Sequence, residues 1–450
     1  MAGRALIAAV LVVSVSVPLL ADDGDLDPSF WMDGTIALDV SADATFGGLA
    51  TDAGGRLAVA YSYVPPVVAV KVGAWRSVGD VSLGAACNVE PYPSGTRDTT
   101  VRDVTFDAFG RLLVLANEYY TDGMMDWEAW FVLAYEYPDC TLDTAFSGDG
   151  IVTLSGWDMP GLQGYSRLRP LADGTTLVTG SALSGGPDGC RVHVISLEPN
   201  GSWGPTYCAP PDAFPVEAYG IDSAVAPNGH IVSIAGTDDF HIVDFMPDGT
   251  VASVVTVPFN LGGANMDPPK GVAATPEGKV VVVGSAQLSG RFVMTAHAIV
   301  VLQWSGADVL ELDPGFSDDG KLTFDFDGWT WNGLEDVAAQ GDGTIVVAGA
   351  SMPVGGDYAM AVARLLPDGS FDGDFVPSQP GWRIVDFDLV PPPAHDRAYR
   401  VALQNGRIVL AGIVALTTDV DSVGVARLLN SYVYSDGFEN PQAPGWLWVD

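Results

Sequence analysis

The chain has 450 residues, 48% of them hydrophobic, and carries 56 acidic against 20 basic side chains for a formal charge of −36. Such a surface repels nucleic-acid phosphates and anionic lipid, so neither is an expected partner, and the apolar content excludes a disordered chain. Only ten of the acids are Glu, and the excess of Asp, a turn and cap former, stands beside 53 Gly and 31 Pro, which points to an all-β, turn-rich fold.

The first 21 residues read as a signal peptide. Arg4 gives the positive start, Ala5 to Leu20 is an apolar run broken late by Pro18, and Ala21 precedes the acidic Asp22-Asp23-Gly24-Asp25. A membrane anchor is the alternative, and the run is short for a span. No cysteine follows it, so a lipoprotein is not expected. No later stretch is apolar for 18 residues, so no membrane span is expected in the mature chain, which should be exported.

From there one sentence is written repeatedly. Its clearest form is Gln340-Gly341-Asp342-Gly343-Thr344-Ile345-Val346-Val347-Ala348-Gly349: a strand end, a tight Asp-Gly turn and a second, wholly apolar strand. The turn glycines are Gly55, Gly110, Gly174, Gly229, Gly278, Gly343 and Gly406, spaced 49 to 65 residues apart, the signature of a repeat architecture. After each second strand come a variable loop and a third strand ending in a Pro-Asp-Gly-like turn, as in Tyr358 to Gly369 and Phe240 to Gly249. Better copies add a linker, Leu-Asp-x-x-Phe-x-x-Asp-Gly, at Leu26 to Gly34, Leu142 to Gly150 and Leu312 to Gly320, with a degraded copy at Phe371 to Phe375. The linkers, together with the turn and with Val362-Ala363-Arg364-Leu365-Leu366-Pro367-Asp368-Gly369-Ser370, resemble the bacterial delta-60 repeat from Leu26 to Leu429. That resemblance implies a bacterial protein that is secreted, periplasmic or on the outer cell surface, and it implies no reaction. Ser435-Asp436-Gly437-Phe438-Glu439 resembles a short element near the ends of many exported gammaproteobacterial proteins.

Strands apolar at every position, such as Val280 to Val283, need both faces covered. Small four-stranded sheets stacked face to face meet that demand, which is a β-propeller. The expected fold is all-β: a seven-bladed propeller of four-stranded antiparallel blades over 22–429, followed by a tail, 430–450. The last repeat lacks a fourth strand and Thr35 to Val40 is spare, so an N-terminal strand is expected to close the ring. The competing account takes the last strand from 431–450.

By the same phase, tight turns lie on one face and long segments on the other, among them 117–129, 156–164, 327–334 and 388–397. Aromatics collect in the long segments. The candidate ligand-binding residues are Trp127, Trp157, Trp329 and Trp331 with Asp325, Asp327 and Glu335, although rings packing loops onto blade edges is the plainer reading. The two Asp and Glu335 are also the best acid cluster for glycoside chemistry. His193, His241 and His297 fall in third strands, where a satisfied strand histidine is the expectation. No catalytic residue, no resident cofactor and no metal set is assigned. Calcium is the one ion considered, for the alternating Asp368, Asp372 and Asp374, which turn capping explains more simply.

Function therefore reads as a non-enzymatic, monomeric propeller binding a protein or carbohydrate partner through its long-loop face. The alternatives are a glycoside hydrolase or polysaccharide lyase, and a structural surface protein. Four cysteines in an exported chain are compatible with two disulfides, in any of three pairings. Cys190 and Cys208 face each other across neighbouring strands, and Cys87 with Cys140 follows by elimination. Peptide mapping without reduction is expected to recover Cys190 joined to Cys208; free thiols at both positions would refute the pairing.

Overall fold

The repeated turn is set by backbone geometry. In the computed structural model, Gly343 N donates to Gln340 O at 3.0 Å and Gln340 N donates to Thr344 O at 2.8 Å. Gly343 has φ +84°, the left-handed position of a three-residue hairpin loop with a bulge, which glycine fills without strain. The last copy differs: Gln404 N donates to Arg407 O across Asn405 and Gly406, whose φ values are +45° and +71°, a two-residue type I′ turn.

The described residues run from 22 to 430, apart from 31–32, 39–43, 64–66, 74–85, 89–97, 122–125, 138, 156–166, 182–189, 210–212, 215–218, 237, 264–265, 289–294, 307–308, 327–330, 353–355, 380, 388, 390–394 and 418–419. The expected signal peptide and the Ser435–Glu439 element lie outside them.

Strand β1 (Thr35–Ala37) precedes the first blade, which holds β2 (Ala44–Thr51), β3 (Leu57–Tyr63), β4 (Val67–Gly73) and β5 (Ala86–Asn88). The next contains β6 (Asp98–Phe106), β7 (Leu112–Thr121), β8 (Asp126–Glu136), β9 (Thr141–Leu142) and β10 (Ile151–Ser155). Then come β11 (Arg167–Pro170), β12 (Thr176–Gly180), β13 (Val192–Leu197) and β14 (Trp203–Ala209). They are followed by β15 (Gly220–Val225), β16 (Ile231–Ala235), β17 (Phe240–Phe245) and β18 (Val251–Val257). The fifth run is β19 (Pro269–Ala274), β20 (Val280–Gln287), β21 (Thr295–Ser305), β22 (Val309–Leu312) and β23 (Lys321–Phe324). The sixth is β24 (Trp331–Ala339), β25 (Ile345–Met352), β26 (Ala359–Leu365) and β27 (Trp382–Val385). The chain ends in β28 (Arg397–Leu403), β29 (Arg407–Thr417) and β30 (Val420–Leu429).

The uniform seven-bladed plan is corrected on this point. Six blades are complete, each folded from one continuous stretch of chain, and the remaining sheet is a composite in the order β1-β30-β29-β28. Two of the six complete blades carry a fifth strand, because β8 and β21, each 11 residues long, pair with two short strands apiece, β9 and β10 or β22 and β23. In the composite sheet β1 runs antiparallel to β30 with Thr35 opposite Ala426, and Leu38 N donates to Val423 O.

The apolar core lies between neighbouring sheets. Val232, Ile242 and Val282 share one such layer, and Val59, Tyr61 and Val425 share another between the first blade and the composite sheet. The linker phenylalanines Phe30, Phe146, Phe316 and Phe375 are all buried. Each sits three residues after an aspartate whose carbonyl accepts its N–H. The aspartate side chains hold the following backbone and a cation: Asp143 with Arg111, Asp313 with Lys279, Asp372 with Arg364, and Asp27 with both Arg407 and Arg427. This explains why a basic residue follows several of the turn glycines: it ties the hairpin tip to the linker.

The long segment 117–129 is corrected too. Strands β7 and β8 run through most of it, with Tyr120 opposite Trp127, so Trp127 belongs to a strand. Cys190 and Cys208 form a disulfide with a Cα separation of 5.3 Å. Cys140 is disulfide-bonded as well; Cys87 lies in β5, and its side chain is outside the described set.

Burial would raise the Asp27 pKa, but hydrogen bonds from Ser29 and Arg407 and the Arg427 charge outweigh it and hold the carboxyl below the ordinary range. A depressed folded pKa gives stability that is present above the unfolded value, near ~3.9, and lost as pH falls below it. Asp27→Ala strips the buried Arg427 of its carboxylate and is expected to lower the unfolding free energy by about 3–5 kcal/mol at neutral pH. In denaturant titrations the gap to wild type should narrow below about pH 4. An unchanged midpoint at neutral pH would show that this latch does not hold the composite sheet.

Candidate functional site

The strands nearest the axis are β2, β6, β11, β15, β19, β24 and β28, each packed on the next, with β28 returning to β2. All but β11 carry a bulge: between Phe46 and Gly48, Val101 and Asp103, Gly220 and Asp222, Pro269 and Gly271, Leu334 and Asp336, and Ala398 and Arg400. A bulge bends a strand and re-aims the residue beside it. The residues that follow the bulges, with Arg167 on β11, stand seven positions before their turn glycines, or six for Arg400 with its shorter turn. They are Gly48, Asp103, Arg167, Asp222, Gly271, Asp336 and Arg400.

These positions interlock. Asp103 Oδ2 accepts Leu168 N at 2.8 Å, Asp222 Oδ2 faces Val272 N at 3.4 Å, and Asp336 Oδ2 accepts Val401 N at 3.0 Å. Each carboxylate thus satisfies a backbone donor on the next blade. A Cβ at Gly48 would lie 2.7 Å from Asp103 Oδ1, and one at Gly271 would lie 3.0 Å from the Asp336 Cα, so these two strands pass close because they carry no side chain there.

Three guanidiniums answer the three carboxylates. Arg169 Nη2 lies 2.8 Å from Asp222 Oδ2, Arg167 Nη2 lies 3.5 Å from Asp336 Oδ1 and 3.9 Å from Asp222 Oδ2, and Arg400 Nε lies 4.0 Å from Asp103 Oδ1. Burial acts first on each. It raises Asp103 above the ordinary carboxylate range despite Arg400 and Arg167. At Asp222 the Arg169 and Arg167 charges overcome it and the pKa is lowered. At Arg400 burial and then the Arg167 charge push the pKa down to about 10.

The ring divides the channel into two cavities that share Arg167 and Arg400. One, of about 360 Å³, faces the Asp-Gly turns and reaches Thr51, Asp173 and Leu403. The other, of about 610 Å³, opens at the starts of the inner strands, on the long-loop side, and includes Phe46, Arg102, Lys270, Glu335, Arg397 and Tyr399. Phe46 and Tyr399 are stacked, with ring centroids 6.1 Å apart and planes at 19°.

Of the residues expected from sequence, Glu335 lines this mouth cavity. Asp325 is exposed just past β23, the strand that pairs with β21, and Glu335 is on β24 of the next blade. Asp327, Trp157 and Trp329 fall outside the described residues. Trp127 and Trp331 are in β8 and β24, with side chains not described. His297 is fully buried, its pKa lowered to about 3 by burial, and its Nε2 meets Ser351 Oγ. Among the described residues no group of three or more His, Cys, Asp or Glu is placed to hold a metal ion, and none of their helices is long and apolar enough to cross a membrane. Sequence reasoning missed the Asp–Arg ring; the signal was a charge inside an apolar strand at a constant count from the turn glycine.

Asp222→Ala removes a fully buried carboxylate shared by two guanidiniums and should lower the unfolding free energy by about 3–5 kcal/mol in chemical denaturation. Asp325→Ala, on the exposed rim, should stay within about 0.5 kcal/mol of wild type. Equal effects would remove the ring from its structural role.

A family model described as a domain of unknown function (DUF5122) beta-propeller matches residues 340–375. No curated protein matches the chain. Among solved structures, YCF48 bound to D1 peptide is similar at 11% identity and TM-score 0.45, covering 91% of this chain and 99% of that one. YCF48 from Cyanidioschyzon merolae follows at 10% identity and TM-score 0.45, covering 88% and 98%, and the Dos1 propeller at 9% and 0.44, covering 87% and 93%. The segment from Gln340 to Phe375, where the repeat is written most clearly, is therefore similar to a propeller repeat family of unknown function.

Proposed function

We propose that the protein is an exported, non-enzymatic propeller of delta-60 type that binds a protein or carbohydrate partner through its long-loop face. The observation that supports this reading is the mouth cavity of about 610 Å³, a size usual for ligand sites, walled by rigid inner strands and combining aromatic, amide and charged side chains. Rings such as Tyr399 supply contact area at small entropic cost, and the polar groups fix orientation.

Glycan-array profiling and direct binding measurements on the purified protein, run beside a polysaccharide hydrolysis screen, test the reading. Retention of a defined partner is expected, weakened about tenfold or more by Tyr399→Ala, with no product released in the screen. Product release that disappears in Glu335→Gln would sink the non-enzymatic reading in favour of a hydrolase or lyase.

A further inference from the structure

The six inner-strand bulges do more than bend their strands. Each leaves one residue without a partner across the ladder: Gly47, Arg102, Ile221, Lys270, Glu335 and Tyr399. All six line the mouth cavity. The extra residue of a bulge is turned out of the regular alternation. Each bulged blade therefore hands that residue to one shared opening and sets the next at the level of the Asp–Arg ring below.

The polar groups of this opening differ in what they have left to offer a ligand. Arg102 Nε donates to Asn117 Oδ1 at 2.8 Å, and the Arg397 guanidinium lies 4.1 Å from the centre of the Tyr358 ring. Lys270 is engaged as well, and Arg167 and Arg400 belong to the ion-pair ring. Glu335 is half-buried, and among the described residues its carboxylate makes no hydrogen bond and no ion pair. The Ser285 hydroxyl, on the same wall, is likewise without a hydrogen bond among them. Ser285 is on β20 beside β24, where a Cβ at Gly333 would lie 3.9 Å from the Ser285 Cβ. A carboxylate accepts O–H donors as strong, charge-assisted bonds, and a hydroxyl both gives and accepts. Glu335 would hold off an anion, and the five basic side chains around it, which keep their charge although their donors are used, would hold off a cation.

We propose that the long-loop mouth of the channel binds the terminal unit of a neutral glycan, an uncharged pyranose. Neighbouring hydroxyls of the sugar meet Glu335 and Ser285, and the apolar C–H face of its ring lies along the near-parallel Phe46 and Tyr399. The few convergent polar groups fix orientation while the rings supply contact area. The ion-pair ring forms the floor, so the site takes the end of a glycan and no chain threads through it. This inference rests on the binding reading above and names the class of its ligand.

The test is calorimetric titration of the purified full-length protein with the neutral disaccharides lactose, cellobiose and maltose, beside digalacturonic acid and a trilysine peptide. At least one neutral disaccharide is expected to bind more tightly than the two charged probes, with affinity changing less than about twofold as salt rises from about 50 to 500 mM. Glu335→Gln should weaken that binding about tenfold. Ser285→Ala should weaken it severalfold, and circular dichroism checks the fold of both variants. Should one variant fail to fold, the other decides the matter. Tighter binding of trilysine, lost in Glu335→Gln, would overturn the proposal in favour of a basic protein segment. Tighter binding of digalacturonic acid would overturn the neutral assignment. Absence of binding by all three neutral sugars, or binding unaltered in both variants, would overturn the proposal as well, whereas the broader reading falls only if the array and direct measurements find no partner.

Discussion

A carboxylate one methylene from the backbone can accept a nearby main-chain N–H and hold a cationic side chain at the same time, and this protein uses that device both on its rim and at its axis. On the rim, Asp27, Asp143, Asp313 and Asp372 each fold a linker back on itself and clasp a cation from a hairpin or a neighbouring strand. At the axis, Asp103, Asp222 and Asp336 reach across to the next blade. Glutamate, one methylene longer, would overshoot both geometries. The scarcity of Glu in so acidic a chain follows from this use, so part of the charge is structural cement and the net value overstates what a ligand meets.

Much of the architecture was legible because its determinants are local. Glycine at a left-handed position, the apolar second strands and the Leu-Asp-x-x-Phe linkers each act within ten residues, and they give the sheets and their order. What was not legible depends on long-range register. The β7–β8 hairpin extends past the point where its sequence turns polar and aromatic, because paired strands keep their hydrogen bonds after the hydrophobic pattern ends. The extra strands β9 and β23 arise because a long third strand has spare edge to offer.

The candidate site was less legible for a related reason. Sequence reading favoured conspicuous tryptophans such as Trp127 and Trp331, both of which prove to lie on strands. The basic residues that line the mouth cavity, Arg167, Lys270, Arg397 and Arg400, come from three strands, β11, β19 and β28, with no local motif among them. Their meeting is a consequence of ring closure. Only the count back from the turn glycines connects two of them, Arg167 and Arg400, and the count becomes informative once the bulges are known to share one level.

The composite sheet also has a history in time. Thr35 is made near the beginning of the chain and its partner Ala426 near the end, so the pairing spans almost the whole sequence. Contacts between such distant residues form late and slowly. Until β30 exists, β1 has no edge to join and the inner face of the first blade has no neighbour. Partly made chains therefore expose an unpaired strand and an apolar sheet face, the surfaces on which nascent chains aggregate. The same closure that leaves the finished ring without a loose edge makes its biogenesis dependent on keeping the two ends apart from other chains until synthesis is complete.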